Sequence, residues 1–175
     1  LEALYDEIVA AGDPEPAIYP MDLLGAGPGD YEQMADTIAE QLGRLDGLVL
    51  NAGMLGTLGA LAHSDPDEFT RVMQVNVTAC YLACRACVPI MNTKNDASII
   101  FTSAAVGRRA RAYWGAYAIS KFAVEGMAQV LADELENTPI RINVLNPGAT
   151  QTAMRSTAYP AENPNNLLTP EAITP

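Results

Sequence analysis

Apolar residues along this chain gather in short unbroken runs, separated by stretches in which they recur every three or four positions. Residues 1–11 keep the helical period and stop at Gly12 and the Pro14/Pro16 pair. "AIYPMDL" (17–23) reads as a short strand interrupted by Pro20, and "GAGPGD" (25–30) as a turn. Tyr31, Met34, Ala35, Ile38 and Leu42 form the stripe of an amphipathic helix over 31–42. "DGLVLNAG" (46–53) is apolar until Asn-Ala-Gly closes it, the pattern of a buried parallel strand.

A long helix is predicted from Pro66 to Met91, capped by Ser64 or Asp65, with Asp67 and Glu68 at its positive end. From Val72 onward it is apolar on nearly every side, which predicts cover on both faces. The sheet supplies one cover; a second chain or a further element supplies the other. "SIIFTS" (98–103) is the next strand. Residues 116–136 form a helix with Ile119, Phe122, Ala123, Met127, Val130 and Leu131 turned inward, and "IRINVLNPG" (140–148) ends the sheet. From Ser156 to Pro175 the chain is rich in Pro, Asn and Thr and reads as loop. Strands alternating with helices at this spacing predict an α/β fold, a parallel sheet wound on both faces.

Composition narrows the partners. A formal net charge of −11 over 175 residues repels phosphate backbones and anionic lipid, so neither nucleic acid nor a membrane surface is expected. Arg108, Arg109 and Arg111 fit a solvated loop or a contact for one anionic group. Cys80, Cys84 and Cys87 carry the C-x3-C-x2-C spacing of radical S-adenosylmethionine enzymes, which hold it on a loop. Here the three lie inside a helical run, where they share one face as core residues do, so no metal is expected. Unpaired cysteines suit a reducing compartment, the cytoplasm. His63, the single histidine, falls in a loop and reads as a surface residue.

In parallel sheets ligands gather at the carboxyl ends of the strands. Asp22, Asn51-Ala52-Gly53, Ser103 and Pro147-Gly148 all stand at such ends. "GAYAISK" then sets Tyr117 four places before Lys121, on one side of a helical turn. A phenol titrates near 10, too high for ready exchange at neutral pH, and a nearby ammonium would lower that value. Such a pair suits proton transfer to a carbonyl oxygen as hydride reaches the carbon, with a nicotinamide as the hydride source. Trp114 and Tyr113, just ahead, fit either a substrate wall or a contact with a partner chain.

These elements together resemble the short-chain dehydrogenases/reductases, and within them the bacterial YciK-type oxidoreductases. Tyr117–Lys121 matches the family's YxxxK element, and Asn51-Ala52-Gly53 its NAG element. Asn76 stands where the family's helical asparagine relays protons to the lysine. Pro147-Gly148, Thr150 and Thr152 resemble the segment holding the nicotinamide; Asp22 and Leu23 match the adenine side. The resemblance implies an NAD- or NADP-dependent enzyme of Rossmann-like fold. Tyr117 would be the acid/base, Lys121 its tuning cation and ribose contact, and Ser103 the residue orienting a small carbonyl or alcohol substrate. It also implies a homodimer or homotetramer on helices 66–91 and 116–136. Residues 1–175 would then form a single incomplete NAD(P)-binding domain, with 156–175 a loop-rich tail on the substrate side.

Two departures stand out. The glycine-rich TGxxxGxG turn is absent, and "GAGPG" (25–29) does not replace it. Leu1 is expected to begin inside the helix after the family's second strand, with roughly fifty residues of the nucleotide-binding half before it and the last strand beyond Pro175. Counted back from Tyr117, or from the loop glycine Gly107, the family's serine falls on Ala104 and not on Ser103. A one-residue shift turns a strand side chain to the other face. That motivates an alternative reading: a catalytically weakened nucleotide-binding or assembly protein.

Overall fold

A computed structural model describes residues 2–91 and 96–173. Helix α1 (Glu2–Ala11) is followed by extended chain, then α2 (Pro28–Leu42), strand β1 (Gly47–Leu50) and α3 (Pro66–Met73). Next come α4 (Ala79–Cys87), β2 (Ala97–Thr102), α5 (Gly115–Glu134), β3 (Ile140–Leu145) and the short α6 (Ala153–Ala158). The last two residues of the predicted tail lie outside the described residues.

The strands pair in parallel in the order β1-β2-β3, with Leu50 beside Phe101 and Phe101 beside Val144. The predicted strand at 17–23 takes no place in this sheet; its residues run unpaired. A strand exists only through a partner's hydrogen bonds, and no described strand lies beside these residues. Tyr19 and Ile18 are accordingly exposed.

Period-two alternation sends Ala97, Ile99 and Phe101 to one face of β2, where all three are buried. Cys80 and Cys84 of α4 and Val124 and Ala128 of α5 pack onto that face. The other face stays open among the described residues: Val49 is 61% and Leu145 43% exposed. Helix α1 buries none of its residues and shows Leu4 and Val9 to solvent.

The three cysteines are core residues, as their helical period predicts. All are buried and free, and burial beside its neighbours pushes the Cys84 thiol up to about 12. The second cover of α4 comes from its own chain, not from another molecule. Tyr31 of α2 packs with Ala79, Leu82 and Ala83, and Arg85 Nη1 donates to Glu32 Oε1 at 2.7 Å.

The long helix predicted over 66–91 is interrupted. Between α3 and α4, Gln74–Thr78 form a π-helical turn, one residue wider than an α-turn. A short 3₁₀ turn, Val88–Ile90, closes the segment. Asp65 is the cap, accepting from Asp67 N at 3.0 Å.

Helix α5 is oriented differently from its sequence expectation. Its buried stripe is Tyr117, Lys121, Val124 and Ala128; Met127 and Leu131 pack against the core as expected, while Ile119, Phe122 and Val130 face outward. Glu125, Gln129 and Asp133 mark only one polar edge of this helix, so hydrophobicity alone does not choose among its apolar faces. Small residues and the seating of Tyr117 and Lys121 at the strand ends choose it here.

The open face and the unpaired edge of β1 carry a consequence. The isolated 175-residue chain is expected to bind a hydrophobic dye and to lose its circular dichroism over a broad temperature interval. A sharp, dye-free transition would contradict this.

Candidate active site

A cleft of about 610 Å³ opens at the carboxyl ends of the three strands. Asn51, Ala52 and Gly53 line it after β1, Thr102 and Ser103 at the end of β2, and Pro147, Gly148, Thr150 and Thr152 after β3. Tyr117 and Lys121 enter from α5. The fold thus gathers most of the predicted site residues into one depression.

Lys121 is 4% exposed, and its Nζ donates to the Thr102 carbonyl at 2.7 Å. The ammonium lies 5.6 Å from the centroid of the Tyr117 ring. Burial lowers the Lys121 pKa and raises that of Tyr117. The phenol is therefore held above its ordinary value of 10 in this ligand-free chain, opposite in direction to the tuning expected from the sequence. At this separation removal from water outweighs the ammonium's attraction.

Asn76 sits on the π-helical turn and is 1% exposed. Its Oδ1 accepts from Met54 N at 2.7 Å, and its Nδ2 donates to Met54 O and Ser120 Oγ, both at 2.9 Å. Ser120 Oγ in turn donates to the Tyr117 carbonyl at 2.8 Å. The proton relay expected of Asn76 would not use this amide. With both amide hydrogens committed, the side chain clamps the turn after β1 to the first turn of α5.

Ser103 borders the cleft, but its hydroxyl is sealed from solvent and has no partner. It points into the packing: a Cβ added to Gly107 would lie 2.8 Å from Ser103 Oγ and 2.9 Å from the Lys121 backbone oxygen. The substrate-orienting place expected for Ser103 would need its hydroxyl to turn from this packing toward the cleft that the residue borders. Half-buried Ala104, the next residue, lines the cleft with a methyl group. The strand does not bulge to bring the serine round; Ser103 N still donates to the Leu145 carbonyl, continuing the ladder.

A buried, unpartnered Thr150 Oγ1 on the cleft wall fits a ligand that supplies a polar group. Gly148, at φ +75°, takes a left-handed conformation that would strain other residues. Thr152 is the N-cap of α6, accepting from Arg155 N at 3.1 Å. Asp22 and Leu23 do not join this cleft. Asp22 lines a separate small depression with Asp30 and accepts from Leu24 N at 3.1 Å; the Leu23 carbonyl accepts from Gln74.

The sequence reading missed Ser120, Arg155 and Tyr159. Arg155 and Tyr159 stand four residues apart around α6, a spacing that could have marked them, but the surrounding composition reads as loop. Ser120 carries no local signal, because a serine beside a lysine is ordinary helix surface.

Comparison with known proteins agrees with this geometry. The sequence pattern of the short chain dehydrogenases matches residues 1–163. An oxidoreductase of Escherichia coli K12, YciK, is 45% identical over 92% of this chain and 64% of its own length. A Pseudomonas syringae structure described as a short chain dehydrogenase superposes with a TM-score of 0.97 at 47% identity, covering 100% of this chain and 71% of that one. A chain of the same description from Escherichia coli CFT073, complexed with NADPH, gives 0.93 at 44% identity over 97% of this chain and 70% of that one. This chain thus spans just under two thirds of the length of the curated YciK relative.

The burial of Tyr117 is checked by titrating tyrosines labelled with ¹³C at the ring Cζ, Tyr117 being assigned by its loss in Tyr117→Phe. Its resonance is expected to titrate above 10 without cofactor, because the dry site favours the neutral phenol. A midpoint below 10 would show that Lys121 dominates after all.

Proposed function

The chain belongs to the short-chain dehydrogenase family, and on that premise we propose that its site interconverts a small carbonyl compound and an alcohol, using NAD or NADP. The supporting observation is the convergence of Tyr117, Lys121 and the unpartnered Thr150 hydroxyl on one cleft at the strand ends. The nicotinamide supplies or accepts the hydride at the substrate carbon. Asn51, Ala52, Gly53 and Lys121 would hold the cofactor on one side; Pro147, Gly148, Thr150 and Thr152 would hold it on the other. Asp22 and Leu23 would serve its adenine end.

Tyr117 gives its proton to the carbonyl oxygen in reduction and takes it back in oxidation. A phenol is protonated at neutral pH, the form reduction needs, and burial shifts it further that way. Lys121, anchored to Thr102, supplies the positive charge that stabilises the phenolate once the proton has left. Asn76 and Ser120 fix the first turn of α5 and thereby the hydroxyl's position. Outward Phe122 and Val130 on α5 favour a homodimer or homotetramer of the full-length protein.

Ala104 favours a second reading, a protein that binds the nucleotide but turns over slowly. Without a serine hydroxyl at that cleft position, Tyr117 orients the substrate oxygen with one donor fewer. Loss of such a donor typically costs about 10²–10³ in kcat.

Three measurements on the full-length protein separate the readings. A panel of ketones, aldehydes and alcohols followed at 340 nm is expected to show turnover. Tyr117→Phe should lower kcat by about 10²–10⁴-fold, the usual worth of a positioned acid; unchanged activity would refute its role. Ala104→Ser should raise kcat by about ten-fold or more if the missing donor limits the rate. Tight cofactor binding with no turnover, before and after that change, would establish the second reading.

A further inference from the structure

Beyond Tyr117 the cleft is walled by aromatic rings in series. Trp114 lies 5.9 Å from Tyr117 and 5.7 Å from Tyr159 between ring centroids, with planes tilted by 51° and 44°. Rings at these spacings touch one another, so they make one continuous surface, not a slot between two faces. Leu55, Ala104, Met154 and Ala158 extend the apolar lining.

The backbone is strained to put Trp114 there. Tyr113 has φ +72°, a left-handed conformation that a bulky residue adopts only under constraint. The Tyr113 carbonyl accepts from Gly59 N at 2.9 Å, tying the segment to the loop after β1.

Two guanidinium groups stand beside this wall: Arg155 is paired with a carboxylate, and Arg111 makes one hydrogen bond to a neutral hydroxyl. Arg155 lines the cleft, but its Nε and Nη2 donate to the two carboxylate oxygens of Glu162 at 2.6 and 2.7 Å. The same guanidinium lies 3.7 Å from the centroid of the Tyr159 ring. The pair is partly shielded, at 24% and 30% side-chain exposure. Arg111 Nη1 donates to the Tyr159 hydroxyl at 3.0 Å. A bidentate fork uses the donor geometry with which arginine grips an anion, and stacking covers one face of the plane. An anionic substrate group near Arg155 would meet Glu162 already in place, on a chain whose formal net charge is −11.

We infer that the cleft takes an uncharged, flat-sided carbonyl or alcohol, of the class of fused-ring ketones, laid against Trp114 and Tyr159. In this arrangement Arg155, already paired with Glu162, is a strut that holds the Tyr159 ring and not a receptor for an anion, and Arg111 reaches the same ring at its hydroxyl. The inference rests on the carbonyl–alcohol reading above and names its substrate class.

Trp114 is the single tryptophan of this sequence, so its emission reports on the wall itself. The full-length protein, saturated with cofactor, is titrated with 2-tetralone and with 6-carboxy-2-tetralone, and the Trp114→Phe variant supplies the background. The uncharged ketone is expected to bind at least ten-fold more tightly than its carboxylate. Arg155→Gln and Tyr159→Leu should each weaken ketone binding five-fold or more. Glu162→Gln, which frees the guanidinium, should improve carboxylate binding ten-fold. Equal or tighter binding of the carboxylate by the parent protein would overturn the inference. So would an Arg155→Gln effect confined to the carboxylate, or no response of Trp114 to either ligand. The parent comparison stands even if a variant fails to fold. Binding is read without turnover, so ketone binding with no reduction refutes only the oxidoreductase reading. Turnover of carbonyl compounds with a preference for the carboxylate refutes only the substrate class.

Discussion

A buried ammonium bonded to a strand's last carbonyl holds the cleft together. Lys121 Nζ reaches from α5 to the oxygen of Thr102, where β2 ends. Stripping a charge of its water is costly unless hydrogen bonds replace it, so this contact fixes where the helix sits against the sheet. Tyr117 lies one turn earlier on the same face and is positioned by the same anchor. Gly107 allows the approach: any larger residue there would strike Ser103 and Lys121 together. The register seen here, with Ala104 lining the cleft and Ser103 packed behind it, is consistent with that packing.

A second set of contacts ties this anchor to the turn after β1. The π-helical turn at Gln74–Thr78 brings Asn76 into the protein, where its carboxamide joins the Met54 backbone to Ser120. Ser120 passes the connection to the Tyr117 carbonyl. Three segments far apart in sequence are thereby locked at the point where chemistry would occur. Preorganisation of this kind comes from shared hydrogen bonds in a dry environment, where each is worth more than in water. The same dryness explains why the phenol rises and the lysine falls in pKa: burial disfavours the charged form of each.

Much of this was legible in the sequence because it depends on local period or fixed spacing. The alternation of β2, the Asp65 cap, the buried cysteine face of α4 and the Tyr117–Lys121 turn each follow from residues within a few positions of one another. The order of motifs at strand ends follows as well, since parallel strands connected by helices must all present their carboxyl ends to one side.

What depended on distant partners was not legible. The segment 17–23 has strand-forming residues but no described neighbour to pair with, so its pattern alone could not make it a strand. Helix α5 has apolar residues on more than one face beside its Glu125, Gln129 and Asp133 edge, so contact with the sheet decided that Val124 and Ala128 face in and Phe122 and Val130 face out. Whether Ser103 or Ala104 meets the cleft turned on the register of β2 against β3 and on the room left by Gly107. The pairing of Arg155 with Glu162 and Tyr159 came from a loop folding back on a short helix. Short-range geometry is written in the sequence; the choice among faces, and the charge state of a buried group, are set by whatever the rest of the chain places alongside.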